Sequence, residues 1–167
     1  MKSWYLIQTK PRQEAAAEKN LERQGYTVYL PITLVRQRRR GKSSTEPGPM
    51  FPRYLFIYLG DGIDDWGPIR STIGVLKLVR FGQIPARVPD KLISELRSRE
   101  DARGIQILPA RKYQIGDKVR ISEGLFEGYE AIIHAKSARE RTILLLKVIE
   151  KNVKVELNQK YLEPLTG

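Results

Sequence analysis

The chain contains no cysteine, which excludes a disulfide framework, a dithiol redox pair and a thiolate zinc site. Histidine is nearly absent too: His134 stands alone, with no second imidazole to make it a credible metal or catalytic ligand, and reads as a partly packed strand residue. No phosphate-cradling glycine loop, nucleophile–base pair or paired carboxylate stands out, so the chain is expected to be no enzyme and to need no cofactor or metal. Long apolar runs are missing as well, and nothing approaches the roughly 18 to 20 residues of a membrane span. The opening Met1-Lys2-Ser3-Trp4-Tyr5-Leu6-Ile7-Gln8 turns polar too early for a signal peptide. A soluble, cytoplasmic monomer without a membrane partner is the expectation. Acidic residues are in deficit, 19 against 30 Lys and Arg, for a formal charge of +11 in 167 residues. Such a balance attracts phosphate polymers through counterion release, although an acidic membrane or protein surface would attract it equally.

What is there alternates strand and helix signals. Ser3–Thr9 has strand content. Thr9 is a plausible N-cap for a helix that tolerates Pro11 in its first turn and runs to Gln24, with Gly25 as a left-handed stop. Tyr26–Leu30 returns to strand character. The basic run Arg36-Gln37-Arg38-Arg39-Arg40-Gly41-Lys42 reads as part of a loop reaching Pro49. Arg53–Leu59 is the strongest strand; its alternation puts Tyr54 and Phe56 on one face and Leu55 and Ile57 on the other, both apolar. A short helix near Asp64–Thr72 and a strand through Val75–Phe81 follow. Asp90 then caps a last helix in which Leu92, Ile93 and Leu96 share a face. This describes an α+β unit over residues 1–101. Residues 102–112, with Gly104 and Pro109, read as a linker, and residues 113–167 form a second, small unit.

That second unit has two readings. As a small β-barrel its strands are Lys118–Ser122, Tyr129–Ala135, Thr142–Ile149, Val153–Leu157 and a short end near Tyr161. At helical spacing, Ser137 with Glu140 makes a capping-box pattern. Ile143, Leu146, Ile149 and Val153 then form one stripe, opposed by Lys147, Glu150, Lys151 and Lys154. Leu125, Tyr129, Ile132 and Ile133 sketch a partner helix, weakened by Gly124 and Gly128 at roughly 1 kcal/mol each. The segment is locally ambivalent, as expected of sequences with two packings of similar energy.

Gly116-Asp117-Lys118-Val119-Arg120-Ile121-Ser122-Glu123-Gly124-Leu125-Phe126-Glu127-Gly128 resembles the KOW motif of the NusG family of transcription elongation factors. With Ser3-Trp4-Tyr5-Leu6 and Phe51-Pro52-Arg53-Tyr54-Leu55-Phe56, the resemblance covers nearly the whole chain. The finer pattern is similar to the RfaH-like specialised branch, through Arg40-Gly41-Lys42, Phe51-Pro52, Tyr54-Leu55-Phe56, Gly74-Val75, Val79-Arg80-Phe81-Gly82, Glu123-Gly124 and Leu144-Leu145-Leu146. It implies a NusG-type α/β sandwich joined to a KOW domain, an SH3-like β-barrel that switches to an α-helical hairpin. The N-terminal domain would dock on the clamp helices of bacterial RNA polymerase and suppress pausing and termination. Non-template-strand DNA would recruit it, and the C-terminal domain would recruit a small-subunit ribosomal protein. A general NusG-type factor with a permanent barrel, and an RNA-binding or ribosomal KOW protein, remain as alternatives.

Lys10, Arg12, Lys19 and Arg23 cluster at the start and along one side of the first helix. They could hold phosphates while Asn20 and Gln24 read a base edge; a solvated helix face accounts for them equally well. The resemblance places Lys10, Arg23, Gln24 and Thr72 at DNA-contacting positions, with Asn20 replacing a histidine and Ile73 an arginine. It makes Phe51, Tyr54, Phe56, Leu78, Ile93 and Leu96 candidates for an apolar polymerase-binding patch, each of which could instead be ordinary core. Asp65-Trp66-Gly67 stands where the branch has a His-Thr-Thr segment that touches the opposite polymerase pincer. Arg141, Ile133 and Leu145 are candidate interdomain residues. Glu46 would be the acidic partner of Arg141, because Gly48 occupies the matching position.

Overall fold

The computed structural model describes residues 1–108 and 125–162. Its elements are β1 (Lys2–Thr9), α1 (Glu14–Arg23), β2 (Thr27–Tyr29), β3 (Ile32–Arg39), β4 (Lys42–Pro49), β5 (Tyr54–Gly60), a 3-10 turn (Gly67–Ser71), β6 (Val75–Leu78), β7 (Arg80–Phe81), β8 (Ile84–Pro85), β9 (Arg87–Val88), α2 (Asp90–Ser98), β10 (Ile105–Gln106), α3 (Leu125–Ile133) and α4 (Ala138–Leu162). The central sheet runs β2-β5-β1-β6, with β9 also pairing with β1. Its long pair is antiparallel, from Lys2 opposite Gly60 to Gln8 opposite Tyr54.

Strict alternation on β1 and β5 gives this sheet two apolar faces. Ile7, Leu55, Ile57 and Leu59 join Ala17 and Leu21 of α1 in one core. Leu6, Phe56 and Trp4 join Met50, Phe51 and the α2 residues Leu92, Ile93 and Leu96 in the other. The strong strand and the amphipathic stripe of α2 lie where the sequence puts them. Helix α1 ends as its Gly25 requires: at φ +93, the Gly25 N–H bonds the Glu22 carbonyl at 2.9 Å and the Tyr26 N–H reaches Leu21 at 3.2 Å, a Schellman stop.

Several expected elements differ. Thr9 does not cap α1; it stays in β1, its N–H bonding the Arg53 carbonyl at 2.7 Å, and Arg12 at φ +62 keeps the helix from starting before Glu14. Asp90 is the first residue of α2 and makes no cap hydrogen bond; Pro89 holds the cap position. The helix expected over Asp64–Thr72 shortens to the 3-10 turn, and the strand expected over Val75–Phe81 breaks at Val79 into β6 and β7. The basic run is not a loop. It lies on the β3–β4 hairpin, paired from Ile32 opposite Pro49 to Arg39 opposite Lys42, and turned by Arg40 and Gly41 at φ +53 and +74. Two successive positive φ values match the twist of a tight hairpin.

Part of the expected linker is built into the fold. Ile105 and Gln106 pair parallel with Ile32 and Thr33 of β3, and both are buried. The Gln106 amide donates to the Tyr29 hydroxyl at 3.2 Å and to the Leu96 carbonyl.

Beyond it, Lys118–Ser122 and most of the KOW-like motif lie outside the described residues. Of the segments expected as barrel strands, 129–135 has its first five residues in α3 and its last two just beyond that helix, while 142–149 and 153–157 lie within α4. Tyr161 likewise closes a helix rather than a strand. The Glu140 N–H bonds Ser137 Oγ at 3.1 Å, and Glu140 Oε2 accepts from the Lys136 N–H at 3.0 Å. The buried line of α4 is Arg141, Leu145, Ile149 and Val153, an i, i+4 row. It is rotated from the expected stripe, leaving Ile143 44 % exposed.

Candidate nucleic-acid interface and docking face

Two surfaces carry the residues singled out in the sequence, and they lie on opposite faces of the central sheet. The first is built where α1 meets the segment after the 3-10 turn. Gly74 at φ +96 lets that segment lie directly on the helix; a Cβ there would fall 2.8 Å from the Ala17 backbone nitrogen. The Gly74 carbonyl in turn accepts from the Lys10 N–H at 2.9 Å. Asn20 Nδ2 donates to the Ile73 carbonyl at 3.2 Å. Gln24 Nε2 donates to Thr72 Oγ1 at 2.8 Å and to the Asn20 carbonyl at 3.1 Å. The Thr72 hydroxyl directs its own proton to the Pro68 carbonyl at 2.9 Å. The structure thus joins Lys10, Asn20, Gln24, Thr72 and Ile73, which are far apart in sequence. Around them Lys10, Arg12, Lys19 and Arg23 are exposed, as phosphate contacts require.

The second surface is the Phe56 face. Phe51 meets Phe56 edge to face at 6.1 Å, and Tyr29 stacks on Phe56 at 6.2 Å. Phe51, Phe56, Ile93 and Leu96 are buried, and Tyr54 packs at their margin. They are not left open, as a sheet face with one covering layer would be. Tyr129 and Ile132 of α3 and Leu145 and Ile149 of α4 complete the same apolar cluster. Leu78 does not belong to it; it packs with the α1 core on the opposite face. Ile133 is buried but stands outside the shared cluster.

Arg141 sits at this junction, 7 % exposed, with Nε donating to the Met50 carbonyl at 3.2 Å. Burial pulls its pKa below the usual arginine value. Among the described residues Arg141 forms no ion pair with Glu46, which sits on β4 opposite Val35. Gly48 cannot readily take an acid's place, because a Cβ there would fall 2.7 Å from Val35 Cγ2. The charged contact the sequence did not signal is Arg87 with Glu156 of α4, 3.5 Å apart and largely solvated. Such a pair contributes about 0–1 kcal/mol, whereas each buried aliphatic side chain contributes about 1.5–3 kcal/mol. Apolar burial of Ile132, Leu145 and Ile149 therefore holds α3 and α4 in place.

Trp66 is committed elsewhere. Its ring packs edge-on to Tyr5 at 4.9 Å and its Nε1 donates to the Gly60 carbonyl at 3.3 Å. Asp65 accepts from the Gly67 N–H at 2.9 Å and, through its carbonyl, from the Tyr26 hydroxyl. Among the described residues no cluster of His, Asp and Glu could hold a metal ion, and no helix is long and apolar enough to cross a membrane.

Comparison with known proteins places this architecture. Residues 2–97 match the family model described as transcription termination factor NusG. The chain is 25% identical to the transcription termination/antitermination protein NusG of Thermus thermophilus, over 93% of this chain and 94% of that protein. It is also 25% identical to the NusG of Chlamydia pneumoniae, over 77% and 75%. Among solved structures, Thermotoga maritima NusG aligns at 20% identity with a TM-score of 0.40, over 71% of this chain and 69% of that one. With more than half of its length matched by the family model, the chain belongs to the NusG family of transcription termination and antitermination proteins.

Proposed function

We propose that the chain is a recruited antiterminator of the RfaH-like branch. Its unit over 1–101 binds the clamp helices of bacterial RNA polymerase in the cytoplasm through Phe51, Tyr54, Phe56, Ile93 and Leu96. Non-template-strand DNA recruits it through the α1 surface, and the unit over 113–167, tethered by 102–112, acts as a removable cover. Released, that unit refolds as a barrel and engages a small-subunit ribosomal protein. The observation that carries this reading is the shared apolar cluster of Phe51, Phe56, Ile93 and Leu96 with Tyr129, Ile132, Leu145 and Ile149. In a general factor with a permanent barrel, the segments of α3 and α4 would be strands and would not form this helical cover. Membership of the NusG family is equally compatible with that general factor, so the distinction is experimental.

Single-round transcription by bacterial RNA polymerase, on templates with and without an RfaH-type pause element, separates the two. The recruited factor gives terminator read-through only on the element-bearing template. Read-through on both templates would identify a general elongation factor, and the recruited reading would be abandoned.

A further inference from the structure

Helix α4 has a second face that the shared apolar cluster leaves uncovered. Opposite the buried row Arg141, Leu145, Ile149 and Val153, Lys147, Lys151 and Lys154 are exposed. At roughly 100° per residue they stand within about 60° of one another round the helix, and Lys147 and Lys151 are about 6 Å apart along its axis. The acids of α4 neutralise them unevenly. Glu140 accepts from the Lys136 N–H at the helix start, at 3.0 Å, and Glu156 pairs with Arg87 at 3.5 Å. Glu150 pairs with Lys154 at 3.2 Å. Among the described residues, Lys147 and Lys151 form no ion pair. Ile143, 44 % exposed, lies one turn before Lys147 on the same side.

Ammonium groups are point charges that suit phosphates without fixing a partner's orientation. A basic track beside an apolar contact follows a single strand without reading its sequence. Unpaired bases can rest on Ile143, whereas the bases of a duplex are stacked out of its reach. We propose that the outer face of α4 binds single-stranded RNA, the unpaired phosphate polymer that the chain meets away from a transcribing complex. The site belongs to the helical state alone. In the barrel expected from the sequence, Lys147 falls on one strand, Lys151 between strands and Lys154 on the next, so the three no longer share a face. A ligand that binds one of two states stabilises that state, so RNA holds the cover on the Phe56 face. This consequence rests on the removable cover proposed above, and adds a ligand that opposes its release.

The test mixes the full chain with a short oligouridylate and reads lysine reactivity toward an acylating reagent, amide exchange and affinity at several salt concentrations. Lys147 and Lys151 should lose reactivity, and exchange across 143–153 should slow. Lys147→Gln combined with Lys151→Gln should lower the slope of log affinity against log salt by about 1.4, the share of two phosphate contacts on a single strand, and abolish the slowing. Glu150→Gln, which frees Lys154, should raise that slope by about 0.7. Lys77→Gln, which removes one charge from the exposed side of β6, should leave the shielding of Lys147 and Lys151 as it is. Shielding that is absent, or equally strong with duplex DNA at the same phosphate concentration, would overturn the RNA site while leaving the covered state intact. Fast exchange across 143–153 in the chain alone would overturn the covered state, and with it the hold that RNA exerts.

Discussion

At the scale of single residues, Gly74 decides whether the α1 surface exists. Its φ of +96 is expensive for any other residue, and the backbone of Ala17 occupies the space a side chain would need. Gly25 has nearly the same φ, +93, but a Cβ there would meet nothing within 4 Å, so the two glycines separate strain from contact. Gly25→Ala should cost about 1 kcal/mol of unfolding free energy. Gly74→Ala should cost that plus about 1–3 kcal/mol more for overpacking, read from denaturant midpoints at constant slope. It should also break the bonds from Asn20 and Gln24 to residues 72 and 73. Equal costs at the two positions would mean that α1 and the following segment are not in contact. Arg141 is the second decisive residue: its guanidinium is buried against one carbonyl, a weak arrangement for a charge, so the junction it occupies is held by its apolar neighbours.

At the scale of elements, the α3–α4 hairpin carries a built-in conflict at Gly128. Alanine there would favour helix by roughly 0.8–1 kcal/mol, yet its Cβ would lie 2.4 Å from Val148 Cγ2. Overpacking of this kind costs about 1–3 kcal/mol and should win. Gly128→Ala is therefore expected to speed amide exchange in α4, and adding Val148→Ala should restore or improve protection. Slower exchange in the single variant would mean that the helices do not pack at this crossing. The same elements mark how far the sequence can be read. β5 and α2 are legible because alternation and a helical stripe coincide with their burial, and the end of α1 because Gly25 has one conformational use. The β3–β4 hairpin is not, since its arginines, lysine and serines carry no strand preference and its turn is Arg-Gly rather than Asn-Gly. The strand at 75–81 reads as continuous because the break at Val79 leaves no mark in composition. In α4, apolar residues at 143, 144, 145 and 146 allow several helical faces, and only the cluster on Phe56 selects 145 and 149. The residues of the α1 surface are legible as a set through family resemblance; their shared hydrogen bonds depend on a fold that brings residues 20 and 24 to 72 and 73.

At the scale of the whole molecule, the central sheet keeps the two candidate surfaces apart. Helix α1 packs on the face carrying Leu55, Ile57 and Leu59, while α3 and α4 cover the face carrying Phe56. The α1 surface is thus open while the Phe56 face is covered, so the proposed function requires DNA contact first and uncovering second. Leu108 still packs on the N-terminal cluster and Gln106 is bonded to Leu96 and Tyr29. In the proposed release of α3 and α4, residues 105–108 would therefore stay with the N-terminal unit. The most direct measurement is amide hydrogen exchange of the intact chain, alone and bound to bacterial RNA polymerase in a paused complex. Strong protection is expected across 129–133 and 143–153 in the chain alone. On binding, that protection should be lost or redistributed, while β5 and α2 become more protected. Polymerase binding at β5 and α2 with the exchange of α3 and α4 unchanged would contradict it.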